Sequence, residues 1–250
     1  MSTGQFVSRC TADAMTSASA SIKDGNLVAF PTETVYGLGA DATNEEAVKR
    51  IYEVKGRLNN HPLIVHVASI NALETWAQDI PDYAIELARA FWPGPVTLIL
   101  KRRNVAKDFI TGSQDSVGIR VPSDPIALEL LSQFESLGGL GVAAPSANRF
   151  GQISPTSAHD VQAELGEYLS SNDLILEGGQ SEDGIESKII NCRNMTPTIL
   201  RPGAVTKSMI NSIVLVEFAN MAESQLRVSG NLEKHYAPKA KVILNKTPKS

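Results

Sequence analysis

An apolar run cut short by proline sets most of the limits on this chain. Leu27-Val28-Ala29-Phe30 reads as a buried strand, and Pro31 ends it while biasing Phe30 toward extended geometry. Thr32-Glu33-Thr34-Val35-Tyr36-Gly37-Leu38-Gly39 follows as a hydroxyl-rich loop whose glycines let backbone N–H groups come close to a ligand. A helix is expected from Asn44 to Val54. Thr43 or Asn44 can cap it, Glu45 and Glu46 suit its first turn, and Ala47, Val48, Ile51 and Val54 form an apolar face. That helix delivers Lys55 and Arg57 at its far, surface-reaching end. A strand, a hydroxyl-bearing loop and a helix ending in two cations look like an anion site.

The same alternation runs down the chain. Helices are expected over Ala12–Ile22, Ala68–Trp76, Asp82–Phe91, Pro125–Phe134 and Ser157–Leu169. Strands are expected at Pro62–Val67, Val96–Leu100, Val117–Pro122, Gly138–Ala144 and Leu174–Leu176, with Ser187–Asn191 and Thr198–Arg201 as two arms of a pair. The continuous apolar character of Pro62–Val67 predicts a sheet covered on both faces. The expected fold is therefore α/β (α+β): a twisted mixed sheet flanked by helices. Residues 1–10 read as a loose start, and 218–228 is ambiguous. Ser229–Pro238 reads as an extended linker, and Lys241–Asn245 as a possible last strand. One catalytic domain is expected over 12–213, with 214–250 as linker and short tail.

Two totals narrow the function. A net charge of −4 argues against a broad nucleic-acid surface but allows a local basic cavity. Two cysteines, Cys10 and Cys192, make neither a disulfide framework nor a zinc site, which fits a reducing compartment. No apolar run approaches the ~20 residues that span a bilayer. The first twenty residues have no apolar signal core. A cytoplasmic protein is expected.

Pro31-Thr32-Glu33-Thr34-Val35-Tyr36-Gly37-Leu38-Gly39-Ala40-Asp41-Ala42, then Lys55-Gly56-Arg57, then His61-Pro62-Leu63-Ile64-Val65-His66-Val67, resembles the YrdC-like family of threonylcarbamoyl-adenylate synthases. Ala144-Pro145-Ser146-Ala147-Asn148 is similar to the family's Ser-x-Asn signature, and the resemblance covers nearly all of the first 206 residues. It implies a reaction that joins L-threonine, bicarbonate or carbon dioxide, and ATP to threonylcarbamoyl-adenylate, releasing pyrophosphate. A downstream tRNA threonylcarbamoyl transferase then uses the product, and direct RNA contact is at most weak. Mg²⁺ is implied as the cofactor, carried on the phosphates with help from Ser146 and Asn148 and without a carboxylate cage.

Residue by residue, the resemblance makes Lys55 and Arg57 the catalytic cations. It gives ATP those two together with His61, Ser146, Asn148, Ser154, Arg201 and Tyr236. It gives threonine to Thr34, His66, Arg120 and Ser187. His235 and Tyr236 match a linker that folds over the nucleotide in longer members, where it leads to a second small domain that is mostly absent from this chain.

Four departures matter. Leu58 stands where proline is usual, and Phe150 where a small residue is. Lys188 and Asn191 stand where the family carries threonine and aspartate after Glu186-Ser187. A cation at 188 either alters the threonine end or points away from it. Two other readings remain: a nucleotide- or RNA-binding module without turnover, and a related carbamoyltransferase using carbamoyl phosphate. Neither cysteine reads as a nucleophile.

Overall fold

The structure is a computed structural model that describes residues 7–9, 11–218 and 226–228. In chain order its elements are β1 (Val7–Arg9), α1 (Ala12–Lys23), β2 (Val28–Phe30), β3 (Gly37–Asp41), α2 (Glu45–Lys55), β4 (Ile64–His66), α3 (Leu73–Trp76), α4 (Asp82–Phe91) and β5 (Val96–Lys101). There follow α5 (Asp108–Thr111), β6 (Ser116–Arg120), α6 (Pro125–Ser136), β7 (Val142–Ala143), α7 (Ala158–Leu165), β8 (Leu174–Glu177), β9 (Lys188–Asn191), β10 (Thr198–Arg201), α8 (Lys207–Asn211) and β11 (Glu217–Phe218). Among the described residues the strands join one mixed sheet in the order β1-β8-β2-β3-β7-β4-β6-β5-β9-β10-β11. β4 and β6 run parallel with His66 beside Arg120, and β5 and β9 run parallel with Val96 beside Lys188. No helix among them is long and apolar enough to cross a membrane.

Local chemistry explains the helices. Asn44 accepts from Ala47 N at the start of α2, and Gly56 closes its end in the left-handed region at φ 60°. Asp124 accepts from Ile126 N and Ala127 N, with Pro125 at the first position of α6. One face of the sheet is buried against α2, α3, α4 and α7 through Val48, Ile51, Trp76, Leu87, Val161 and Leu165. Part of the other face is covered by α1 and α6 through Met15, Ile22, Leu130 and Phe134. Near β4, β5 and β9 that second face carries only a small cluster, Ile99, Ile189, Leu200 and Val228, flanked by Ile64 and Leu226. The gap in helical cover is where the cleft opens.

Several expectations need correction. Residues 37–41 are a strand, antiparallel to β2 on one side and β7 on the other. Gly39 serves packing there: a Cβ would come within 2.8 Å of both Phe30 and Val142 side chains. Residues 7–9 are a strand parallel to β8, and 217–218 pair with β10, so the sheet extends past both ends of the 12–213 range. The strand expected over Gly138–Ala144 shrinks to Val142–Ala143. Tyr236, His235 and the expected strand at Lys241–Asn245 lie outside the described residues.

Candidate active site

Strand alternation aims the polar side chains. Ile64 and His66 on β4, Thr97 on β5, Gly118 and Arg120 on β6 and Ser187 and Ile189 about β9 share the incompletely covered face. Together with the Thr32–Gly37 turn, the end of α2 and the loop after β7, they enclose an open cleft. Thr34, Lys55, Arg57, His66, Arg120, Ser146, Asn148, Ser187 and Arg201 all line it. Nine of the assigned residues, spread from position 34 to 201, thus meet in one place.

At the inner end, Thr32 Oγ1 donates to Val35 O at 2.6 Å and lies 2.8 Å from Thr34 Oγ1, so the Thr34 hydroxyl donates to Thr32 and presents its lone pairs. His66 is buried and packs edge-on against Phe30 at 6.3 Å. Burial and then the nearby Arg120 charge push His66 down to about 3, so it is neutral at physiological pH. Its Nδ1 is buried and has no partner among the described residues. Arg120 Nη2 lies 2.8 Å from Glu33 Oε1, an ionic contact rather than a well-aimed hydrogen bond, and Arg120 Nε donates to Gly94 O at 3.3 Å. Ser187 Oγ is 2.8 Å from Thr97 Oγ1. Arg201 holds Ser187 twice, Nε to the carbonyl at 2.9 Å and Nη2 to the hydroxyl at 3.0 Å.

At the outer end, Lys55 is only 3% exposed. This corrects the expectation of a surface-reaching cation: the loop after β7 lies over it, and its ammonium donates to Ser146 O and Asn148 O. Burial, and next the Arg57 charge, lower its pKa well below the ordinary lysine value. Arg57 is half-buried, and burial brings it down to about 10, which leaves it charged at neutral pH. Asn148 Nδ2 donates to Arg149 O and Gln152 O, while its Oδ1 is buried and has no partner among the described residues. The bridge between Gly37 and Ser146, with Ala147 N donating to Tyr36 O, ties this loop to β3.

The remaining assignments are less direct. Ser154 does not line the cleft; it donates to Glu186 Oε1 at 2.6 Å, and Glu186 does line it. His61 does not line the cleft either; its ring packs edge-to-face with Phe150 at 5.9 Å. Phe150 lines the cleft and is 42% exposed. Alternation resolves the question of Lys188: it shares a face with Ile190 and Cys192, which belong to the large core, and so points away from Ser187. Asn191 turns to Arg193, accepting from its N and Nε. Burial raises the Cys192 thiol pKa, which suits an inert core residue. Sequence reasoning missed Glu33, whose buried carboxylate orients Arg120, and Arg149, which reaches back to α2.

The Sua5/YciO/YrdC family profile, described as telomere recombination, matches residues 20–203. The chain is 43% identical over 233 residues to a threonylcarbamoyl-AMP synthase of Pyrococcus abyssi, covering 91% of this chain and 66% of that protein. It is 40% identical over 232 residues to one of Bacillus subtilis, covering 91% and 65%. It superposes on the solved structure of P. abyssi Sua5 complexed with L-threonine with a TM-score of 0.81 at 41% identity, covering 91% of this chain and 66% of that one. The chain thus spans about two thirds of the length of these relatives.

Proposed function

The chain belongs to the Sua5/YciO/YrdC family, and from that premise we propose that it makes threonylcarbamoyl-AMP from L-threonine, bicarbonate or carbon dioxide, and ATP, with release of pyrophosphate. The observation that carries this reading is that Thr34, His66, Arg120 and Ser187 line one cleft together with Arg57, Ser146, Asn148 and Arg201. A relative binds L-threonine in the same fold. The inner end offers what an amino acid needs. Arg120 can take the carboxylate in a fork, and Thr34 and Ser187 present hydroxyls to the amine and side chain. Neutral His66 accepts or donates without adding a charge that would repel the ammonium.

The threonine amine takes up carbon dioxide to give a carbamate and a proton. A carbamate oxygen then attacks the α-phosphorus of ATP, and pyrophosphate leaves. No protein nucleophile is required, so the protein contributes positioning and charge stabilisation. In this reading Arg57 and Arg201, which both line the cleft, meet the phosphate charge, Arg201 while bonded to Ser187. Ser146 and Asn148 line the same cleft and would assist there. Mg²⁺ fits this donor set, because it prefers oxygen ligands and keeps several of its own waters. Among the described residues no three His, Cys, Asp or Glu side chains converge to cage a metal. Ser146 and Asn148 would therefore assist phosphate oxygens in holding the ion, which supplies charge neutralisation on the leaving pyrophosphate. The setting is cytoplasmic, and a separate enzyme passes the threonylcarbamoyl group to tRNA, with at most weak RNA contact here.

Pyrophosphate release tests the reading. It requires ATP, threonine and bicarbonate together, because the carbamate is the nucleophile. Release on ATP alone, or carbamoyl phosphate replacing threonine and bicarbonate, contradicts it. Tight ATP binding without any release points instead to a binding module.

A further inference from the structure

The end of α2 and the loop after β7 hold each other with side chains passed in both directions. From the helix, Lys55 Nζ donates to the carbonyls of Ser146 and Asn148, each at 2.5 Å. From the loop, Arg149 Nη1 donates to Val54 O at 2.7 Å and to Glu53 O at 3.5 Å. Phe150 N donates to Lys55 O at 2.8 Å. The Arg149 guanidinium also lies over the Tyr168 ring at 4.2 Å. The carbonyls at the end of a helix lack partners within it and form the negative end of its dipole, so a guanidinium there is favoured twice. Gly56 makes room: besides its left-handed backbone, a Cβ at this position would come within 2.7 Å of Arg149 Nη2.

An ammonium has three protons, and two of those on Lys55 are committed to the loop backbone. Turning them to a phosphate would release the segment that carries Ser146 and Asn148. We propose that Lys55 and Arg149 are positioning residues, a reciprocal clamp that fixes Ser146 and Asn148 relative to Arg57, with Arg57 and not Lys55 meeting the nucleotide's phosphates. What the clamp serves rests on the proposed reaction; whether it exists does not.

The test compares Lys55→Met, Arg149→Met and the double variant in the full chain, below their melting temperatures. Amide hydrogen exchange of residues 144–152 is read in the protein without nucleotide, and affinities are measured for AMP and ATP. The clamp predicts that each single variant speeds exchange in this loop about tenfold or more, the worth of one charge-assisted bond. It predicts that AMP and ATP weaken by the same factor, and that the double variant is little worse than either single. A merely structural role lowers the melting temperature and leaves loop exchange and affinity unchanged, which overturns the proposal. A Lys55 that touches phosphate gives unchanged loop exchange and a loss that grows from AMP to ATP, which overturns it too. If Lys55→Met does not fold, Arg149→Gln carries the same exchange test. Turnover that fails in the wild-type chain removes the reaction and leaves the clamp to stand or fall on exchange alone.

Discussion

Two cations that line the cleft are buried to the same depth, Lys55 at 3% exposure and Arg120 at 4%, and they are compensated in different ways. Arg120 faces the buried carboxylate of Glu33 at 2.8 Å. The ammonium of Lys55 faces two backbone carbonyls. The Arg120–Glu33 pair is therefore close to charge balance. At the outer end, Lys55 is bonded to carbonyl dipoles; burial and then Arg57 depress its pKa, and the Glu164 carboxylate offsets this only in part. That end keeps a positive field suited to a polyphosphate.

The largest effect expected from this contrast is on stability. Arg120→Met leaves Glu33 buried without its cation and should cost about 3–5 kcal/mol in urea unfolding, most of it recovered by adding Glu33→Gln. Arg57→Ala should keep its fold and lose about 1.5–3 kcal/mol of transition-state stabilisation, about 10- to 150-fold in kcat/KM. Lys55→Met, which strands only neutral carbonyls, should cost about 1–3 kcal/mol of stability. Equal losses for Arg120→Met and Lys55→Met would erase the distinction between the two ends.

His66 sharpens the picture by pH. Burial holds its folded pKa at about 3, below the ordinary 6.5. Between those values the unfolded chain carries a proton that the folded chain lacks. Its contribution is thus complete above 6.5 and is lost as pH falls toward 3, by about 1.4 kcal/mol per unit well inside that window. His66→Asn should flatten the acid limb of stability against pH; an identical limb would mean that His66 is not kept neutral. The smallest effect concerns the substrate methyl. Serine should leak through, since one methyl is worth only about 1 kcal/mol or so in a pocket. Comparing pyrophosphate release with threonine and serine checks it.

Much of this was legible in the sequence because the long elements carry their own signals. The periodic helices α2, α4 and α6 stand close to where their apolar faces put them, α2 and α6 with side-chain caps at Asn44 and Asp124 and α4 without one. β3 was not legible, because Gly37–Asp41 has little β propensity and owes its form to neighbours on both sides. β1, α5 and α8 are too short to show a period. In the site, the cations and hydroxyls could be read from the motifs, but their partners could not. Glu33 finds Arg120, and Arg149 finds Val54, only across the fold. The exposure of Lys55 was misjudged for the same reason, since a helix end says nothing of the loop that will lie upon it.

The most direct measurement is the identity of the product formed from ATP, threonine and isotopically labelled bicarbonate, read by mass spectrometry. The account predicts a threonylcarbamoyl-adenylate that carries the label in its carbamoyl carbon, formed in step with pyrophosphate. An adenylate without the label, or pyrophosphate with no threonine-containing adenylate, would contradict it.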